Sequence, residues 1–225
     1  MLVEFIGPPG AGKTTLASLV AGDIRGRGAL VNMVHVTGYE NFAGANLSAR
    51  QIRADQIRSL IGQPRLSLEA FKCLVLEGKG TASSWTINMA RRSWGSHRCR
   101  KLSGVTLLAE GPLSALCLIG CARRTDWSVE AVLNIISLPN IVISLRVSPE
   151  EAKRRIAERS AHLLGLDPAG DFRATADYLR IAEQIETTLS WSMPVIRINT
   201  DTGPPTALAR TVSNYIAEHL ASRLR

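Results

Sequence analysis

Short apolar runs alternate with stretches of helical periodicity along most of this chain. Continuous apolar runs are typical of strands that are buried on both faces of a parallel sheet. The pattern predicts five strands, at residues 2–6, 31–36, 105–109, 141–147 and 194–198. Because strands that alternate with helices form a parallel sheet with right-handed crossovers, we predict a three-layer α/β/α fold around a five-stranded parallel sheet.

The segments between these strands carry helical signals. The helix after the first strand is predicted to end near residue 25, with an inward face formed by Thr15, Leu16, Leu19 and Val20. Further helices are predicted at about residues 112–121, 129–136, 174–189 and 205–224. Ser148, Pro149 and Glu151 match a capping box, in which the serine hydroxyl and the glutamate carboxylate close the first helical turn reciprocally.

The stretch at residues 39–103 is mostly helical in pattern and too long for a plain crossover. We interpret it as a helical insertion that binds the acceptor of a reaction. The length of 225 residues and the ordinary balance of 45% hydrophobic and 20% charged residues predict one globular domain over residues 1–225. A lid is predicted at about residues 150–173.

A glycine-rich loop lies between the first strand and its helix. Residues 7–14 read Gly-Pro-Pro-Gly-Ala-Gly-Lys-Thr and match G-x-x-x-x-G-K-[ST], the Walker A pattern, whose backbone N–H groups converge on phosphate oxygens. Lys13 is predicted to reach the β- and γ-phosphates, and the Thr14 hydroxyl to bind Mg²⁺. The predicted nucleotide-binding residues here are Gly7, Pro8, Pro9, Gly10, Ala11, Gly12, Lys13, Thr14 and Thr15. The alternative, a glycine-rich turn with an accidental lysine, explains neither the position nor Thr14.

Charge favours anionic partners, because 27 Lys and Arg against 19 acidic residues give a formal charge of +8 and a pI near 9.9. The apolar opening is interrupted by residues 7–10 before a signal-peptide core or a membrane span forms, so we expect a cytoplasmic protein without a membrane partner. The four cysteines include no Cys-x-x-Cys pair and the four histidines have no metal-ligand spacing, so a zinc site is not supported.

Glu110 directly follows the third predicted strand and precedes Gly111 and Pro112. A carboxylate at the carboxyl edge of a parallel sheet lies where ligands bind in this fold class. Glu110 is therefore a candidate catalytic residue and metal ligand, which orients Mg²⁺ or accepts the proton of an attacking hydroxyl. The alternative is a glutamate that does no more than favour a helix dipole.

Arg155 and Arg159 lie one turn apart on the helix that begins near Pro149. Their guanidinium groups are candidates to clamp a transferring phosphoryl group. The stretch at residues 162–171, which is rich in Gly and Pro, follows as a loop that is suited to closing over nucleotide. The alternative is a solvated charged face.

Three features together resemble the P-loop kinases of the thymidylate and deoxynucleoside kinase type: the phosphate loop, the Glu110-Gly111 pair and the Arg-Ile-x-x-Arg pattern at residues 155–159. The resemblance implies that Arg155 and Arg159 are lid arginines and that Thr200 and Asp201 lie beside adenine. The Asp-Arg-Tyr or Glu-Arg-Ser triplet of those families is replaced by residues 111–113, Gly-Pro-Leu. The opening at residues 4–10 also resembles P-loop proteins associated with glycan synthesis.

Candidate acceptor-binding residues follow the second strand, where the related kinases bind their acceptor: Tyr39, Asn41, Arg50, Arg53 and Arg58. Arginines here are suited to pairing with an acceptor phosphate, and the alternative is a surface face of an amphipathic helix. A second basic run at residues 91–101 includes Trp94, and aromatic residues among basic ones leave a polynucleotide acceptor open.

The sequence thus predicts an ATP- and Mg²⁺-dependent kinase that transfers the γ-phosphoryl group to a small-molecule hydroxyl or phosphate, of nucleoside, nucleotide or sugar type. GTP stays open as donor. The alternatives are a nucleotide-dependent switch or assembly ATPase and a polynucleotide 5′-hydroxyl kinase. The oligomeric state also stays open, with a homodimer among the possibilities.

Overall fold

The computed structural model describes residues 1–34, 61, 62, 64, 92–122, 129–160 and 171–223. In this part of the chain five strands form one parallel sheet in the order β2-β3-β1-β4-β5. The strands are β1 (Leu2–Ile6), β2 (Val31–Val34), β3 (Val105–Leu108), β4 (Ile141–Arg146) and β5 (Val195–Asn199). The predicted five-stranded parallel sheet is confirmed.

Strand β1 lies at the centre of the sheet. Glu4 is in register with Leu108 of β3 on one side and with Val142 of β4 on the other, and every residue of β1 is buried. Because parallel strands end at the same edge, the glycine loop after β1 emerges between the residues that follow β3 and those that follow β4. The strand order alone therefore brings Glu110 and Ser148 to the two flanks of the loop.

Helices cover both faces of the sheet, which confirms the three-layer prediction. They are α1 (Lys13–Gly26), α2 (Pro112–Ala122), α3 (Val129–Leu133), α4 (Pro149–Ser160), α5 (Asp171–Leu189) and α6 (Pro205–Arg223), in addition to a helical segment at residues 92–99. On one face α1 and α6 share a core with β1 through Leu16, Val20 and Val212. On the other, α2, α3 and α5 form a second core that includes Leu116 and Ile185.

Several predicted boundaries differ from the structure. Helix α3 ends at Leu133 and not near residue 136, β3 and β4 each end one residue early, and β5 starts and ends one residue late. In α1 the prediction for Thr15 was wrong, because its side chain is exposed while Leu16, Ala17 and Val20 face the core. The apolar stripe is therefore rotated away from Thr15, which borders the cavity described below.

The capping box at the start of α4 forms only in part. The Glu151 N–H donates to Ser148 Oγ at 3.4 Å, as predicted. The reciprocal bond was predicted wrongly: the Glu151 carboxylate binds Arg154 and Arg155, and Asp201 Oδ2 accepts the Ser148 N–H at 2.7 Å. Arginines three and four residues along the helix offer the carboxylate stronger, charge-assisted hydrogen bonds than a backbone amide does.

The predicted insertion and lid stay predictions, because most of residues 39–91 and all of residues 161–170 lie outside the described residues. At the end of the insertion, the helical segment 92–99 is attached to the turn after α3. Ser137 N–H donates to Ser93 Oγ at 2.9 Å, and Ser96 Oγ donates to the Ser137 carbonyl at 3.1 Å. Among the described helices, none combines the length and the apolar character that a membrane crossing requires.

Candidate active site

The loop between β1 and α1 has the backbone of an anion cradle. Gly10 and Gly12 adopt φ angles of 79° and 80°, in the left-handed region that favours glycine. Gly12 is the N-cap of α1, and its carbonyl accepts the Leu16 N–H at 2.9 Å. The positive end of the α1 dipole therefore points out of the loop, where backbone N–H groups are suited to a phosphate.

Lys13 lies against the inside of this loop. Its Nζ donates to the Gly7 carbonyl at 2.7 Å and to the Pro8 carbonyl at 3.2 Å, and it lies 6.0 Å from the centre of the Tyr178 ring. Thr14 follows on the first turn of α1 with an exposed side chain. The positive charge of Lys13 and the positive end of the α1 dipole are therefore both located at the phosphate loop.

Contacts with three other elements fix the loop. The Gly7 N–H donates to the buried Tyr178 hydroxyl at 3.2 Å. A Cβ on Gly7 would lie 2.9 Å from Leu145 Cβ, and one on Gly10 would lie 2.7 Å from the Ala152 carbonyl oxygen. Both glycines are therefore required by close packing, Gly7 against β4 and Gly10 against α4.

Two adjoining hollows of about 310 and 520 Å³ open beside the loop. Both are lined by Glu151, Arg155 and Thr200, and the smaller one continues to Gly12, Thr15, Pro205 and Leu208. One wall is thus charged and the other partly apolar, which suits the ribose and base of a nucleotide whose phosphates lie in the loop.

Arg155 is the central residue of the charged wall. Its Nη1 donates to Thr200 Oγ1 at 3.0 Å and to the Gly10 carbonyl at 3.4 Å, and its Nη2 donates to the Thr200 carbonyl at 2.9 Å. Its Nε donates to Glu151 at 2.7 Å. Hydrogen bonds from Arg154 and Arg155 lower the pKa of Glu151 to about 2, so this carboxylate is charged at neutral pH.

Glu110 lies on the other flank of the loop, in the bend between β3 and α2. Its side chain is 30% exposed, and its Oε2 accepts a hydrogen bond from Arg92 Nη2 at 3.4 Å. Arg92 comes from the helical segment 92–99, and 15% of its side chain is exposed. Within the described part of the chain this carboxylate has a single guanidinium contact, and a partly exposed carboxylate of this kind keeps lone pairs for a metal ion or for a proton.

A second carboxyl group lies below Glu110, inside the sheet. Glu4 of β1 is completely buried, and its Oε1 accepts the Ser114 N–H at 3.0 Å. Burial raises its pKa to about 8, although the backbone N–H groups of Ser114, Leu113 and Gly111 and the charge of Arg92 act in the opposite direction. Glu4 is therefore largely protonated at neutral pH.

The sequence and the fold are both similar to those of known proteins. The family model for AAA, the ATPase family associated with various cellular activities, matches residues 3–65. A deoxyadenosine kinase from M. mycoides with products dCMP and a flexible dCDP bound is similar in structure, with a TM-score of 0.60 and 14% sequence identity over 97% of this chain and 100% of that chain.

The same kinase with bound dATP gives a TM-score of 0.57 and 15% identity over 96% of this chain and 100% of that one. With bound dCTP the TM-score is 0.53, at 14% identity over 97% and 100% of the two chains. The chain has the fold of a P-loop deoxynucleoside kinase. No curated protein matches the sequence.

The P-loop kinase fold brings part of the predicted site together. Lys13 and Thr14 lie at the loop, Arg155, Thr200 and Asp201 line the hollows beside it, and Glu110 lies at the same edge of the sheet. Arg159 follows on α4, but its side chain is not among those described. The predicted acceptor residues lie outside the described residues: Tyr39, Asn41, Arg50, Arg53 and Arg58.

Two side-chain oxygen groups beside the phosphate loop, the Thr14 hydroxyl and the Glu110 carboxylate, are suitable ligands for Mg²⁺. Mg²⁺ is typically held by one or two protein oxygens together with waters and nucleotide phosphates. The Thr14 hydroxyl is exposed beside the loop, and the Glu110 carboxylate is accessible on its flank. Both are hard oxygen ligands of the kind that Mg²⁺ prefers.

Sequence reasoning missed Glu4, Arg92 and Tyr178. A charged residue inside an otherwise apolar buried strand was a usable signal for Glu4, because a buried carboxyl group requires a partner. A tyrosine on the inward face of α5 was a weaker signal for Tyr178, because a buried hydroxyl is usually hydrogen-bonded. Within the basic run at residues 91–101 nothing in the sequence separates Arg92 from its exposed neighbours Arg98 and Arg100.

Proposed function

We propose that the protein is an ATP-dependent phosphotransferase that moves the γ-phosphoryl group to a hydroxyl or phosphate of a small molecule. The observation that carries this proposal is the phosphate loop, with Lys13 Nζ against its carbonyls at the positive end of α1. A nucleoside or nucleotide is the favoured acceptor, since deoxyadenosine kinase structures of the same fold hold deoxynucleotides. A sugar-type acceptor is the second possibility.

The donor side of the reaction rests on the loop and the hollows. The backbone N–H groups of residues 7–14 and Lys13 would bind the β- and γ-phosphates, and Thr15, Thr200 and Asp201 would border the ribose and base. Thr14 and Glu110 would hold Mg²⁺, which would neutralise charge on the phosphates. ATP is the proposed donor, with GTP as the alternative.

Transfer requires a new bond from the acceptor oxygen to the γ-phosphorus while the bond to the bridging oxygen of ADP breaks. Glu110 would accept the hydroxyl proton or orient the metal ion. Arg159 would contribute positive charge from α4, whereas the hydrogen bonds of Arg155 suit it to hold the wall of the base site. Tyr39, Asn41, Arg50, Arg53 and Arg58 are proposed to bind the acceptor.

The test is acceptor-dependent release of ADP. Purified protein is incubated with Mg²⁺ and ATP, or with GTP, and with single candidates from panels of nucleosides, nucleotides, sugars and aminoglycosides. Lys13→Ala is expected to abolish the signal and to weaken nucleotide binding, because the loop loses its cation. Arg210→Ala is the matched control, since it removes one positive charge from an exposed position on α6.

A different pattern of turnover would overturn the proposal. Hydrolysis that only protein or nucleic acid stimulates, with no phosphorylated small molecule, would favour a nucleotide-dependent switch. Phosphorylation of an oligonucleotide end would favour a polynucleotide kinase. Undiminished Mg-ATP binding by Lys13→Ala would contradict the assignment of the loop itself.

A further inference from the structure

Glu110 is held at both its backbone and its side chain. The residue after it, Gly111, packs directly on the buried Glu4, because a Cβ at position 111 would lie 2.4 Å from the Glu4 carboxyl carbon. The side chain of Glu110 contacts Arg92 at 3.4 Å. The two restraints come from different elements, β1 and the helical segment 92–99.

The backbone that carries Arg92 is held in place by hydrogen bonds of its neighbours. The next residue, Ser93, is fully buried and accepts the Ser137 N–H, and Ser96, one turn further, donates to the Ser137 carbonyl. The backbone under Arg92 is therefore attached to the turn after α3. An arginine on a backbone that is already held loses less conformational entropy when it binds a carboxylate than an arginine on an unattached surface helix does.

Arg92 also acts on Glu4, because its positive charge lowers the pKa of that carboxyl group. Two atoms of this cluster, Glu4 Oε2 and Arg92 Nη1, are buried without a hydrogen-bond partner within the described part of the chain. Buried polar atoms that lack a partner are uncommon and are often explained by an ordered water or a functional role. Glu4, Arg92 and Glu110 thus form a connected cluster of charge and buried polar atoms beside the phosphate loop.

We propose that Arg92 is a positioning residue for the phosphotransfer, which holds the Glu110 carboxylate from the side while the buried Glu4 holds the adjoining backbone from below. This inference rests on the proposed function. In this role Arg92 acts through Glu110 and not by binding the donor or the acceptor itself.

A double-mutant cycle tests whether Arg92 acts through Glu110. Arg92→Gln, Glu110→Gln and the double variant are compared in kcat and in KM for the donor. We expect Arg92→Gln to lower kcat by about tenfold or more at an unchanged donor KM, and the double variant to be no slower than Glu110→Gln alone. Multiplicative losses in kcat, or a normal kcat for Arg92→Gln, would overturn the proposal.

A second readout is independent of turnover. In the protein labelled with ¹³C at the glutamate carboxyl carbons, the pKa of Glu4 is expected to be higher in Arg92→Gln than in the wild type, because a nearby positive charge has been removed. Arg210→Gln, at an exposed position on α6, is the control and should leave the pKa of Glu4 unchanged. An unchanged pKa of Glu4 in Arg92→Gln would contradict the claim that the charge of Arg92 acts on Glu4 within this cluster.

Folding and function are kept apart by two further comparisons. If Arg92→Gln does not fold, Arg92→Lys replaces it in both experiments, because lysine keeps the charge but lacks the planar fork of arginine. In that variant kcat should fall while the pKa of Glu4 stays near its wild-type value, and a wild-type kcat would reject the proposal. If the wild type transfers no phosphoryl group to any acceptor, the proposed function fails, whereas an active wild type with multiplicative losses rejects only the role of Arg92.

Discussion

The backbone amide of Gly7 donates a hydrogen bond to the hydroxyl of Tyr178 at 3.2 Å, which ties the first residue of the phosphate loop to helix α5. Tyr178 is buried, and burial raises its pKa well above the ordinary value, so its hydroxyl stays protonated. The Gly7 N–H is therefore bound to a neutral phenol oxygen at neutral and mildly basic pH. The position of the loop depends in this way on a helix far along the chain.

Tyr178→Phe tests this relationship. The substitution leaves the buried Gly7 N–H without its partner, which is expected to lower the free energy of unfolding by about 1–3 kcal/mol. Urea denaturation measures this change, and titration with Mg-ATP should show weaker binding because the loop is less firmly held. Tyr215→Phe is the matched control: Tyr215 is 37% exposed on α6, so this substitution should change the free energy of unfolding by less than about 0.5 kcal/mol. Equal stabilities of the two variants would contradict the prediction.

Gly111→Ala tests the packing under the candidate acid. Its Cβ would lie 2.4 Å from the Glu4 carboxyl carbon, so a buried side chain has to move, and a loss of about 1–3 kcal/mol in the free energy of unfolding is expected. Gly22→Ala is the control, because the residue is inside α1 and no described atom beyond the local backbone of that helix lies within 4 Å of a Cβ there. That change should stabilise the protein by about 0.5–1 kcal/mol. Thermal denaturation of the wild type and of both variants measures these two changes in stability.

Glu4 predicts a specific pH dependence of stability. Its pKa rises from 4.5 to about 8 in the fold, so between these values the folded protein keeps a proton that the unfolded chain has released. The stabilisation from this proton is complete below about pH 4.5 and is lost as the pH rises towards about 8. Each pKa unit corresponds to about 1.4 kcal/mol, so the effect is on the order of a few kcal/mol.

Glu4→Gln isolates that effect, because glutamine keeps an oxygen for the Ser114 N–H but does not titrate. The free energies of unfolding of the wild type and the variant are measured at several pH values from about 5 to about 8. The wild type is expected to lose stability relative to Glu4→Gln as the pH rises. If the difference between the free energies of unfolding of the wild type and the variant is the same at every pH, Glu4 does not titrate in this pH range.

The sequence could predict the fold well because the apolar runs and the loop motif are local signals. Strand β1 was predicted to the residue, since four apolar positions on either side of Glu4 lead directly into the glycine loop. The end of α3 was missed because Ile135 and Ile136 continue the apolar spacing. The helix nevertheless stops, and Ser93 and Ser96 bind the backbone of Ser137 from a distant segment.

The site was predictable only where one short stretch carries it. Lys13 and Thr14 follow from the loop pattern, whereas the Asp201 bond to the Ser148 amide joins residues 53 positions apart. A capping box is the local expectation at Ser148, and it fails in part because Glu151 is bound by arginines on its own helix. Such competition between partners depends on tertiary geometry that periodicity does not record.

Arg155 offers a test of the wall beside the loop. Arg155→Lys keeps the charge but loses the fork that binds both Thr200 oxygens, so we expect a several-fold weaker affinity for nucleotide. Isothermal titration with Mg-ADP measures this affinity, and unfolding experiments check that the fold is intact. Arg180→Lys, at a mostly exposed position on α5, is the control and should bind nucleotide as the wild type does. Unaltered affinity in Arg155→Lys would exclude the wall from nucleotide binding.

Glu110→Gln separates binding from chemistry. The amide has nearly the shape of the carboxylate and leaves the phosphate loop untouched, so nucleotide affinity should stay within about twofold of the wild type. If Glu110 accepts a proton or orients the metal ion, kcat should fall by about 10²-fold or more. Glu218→Gln, an exposed acid on α6, controls for the loss of one negative charge. A kcat near that of the wild type would mean that Glu110 does no more than favour the helix dipole. Equal losses of nucleotide affinity and of kcat would instead assign Glu110 to donor binding.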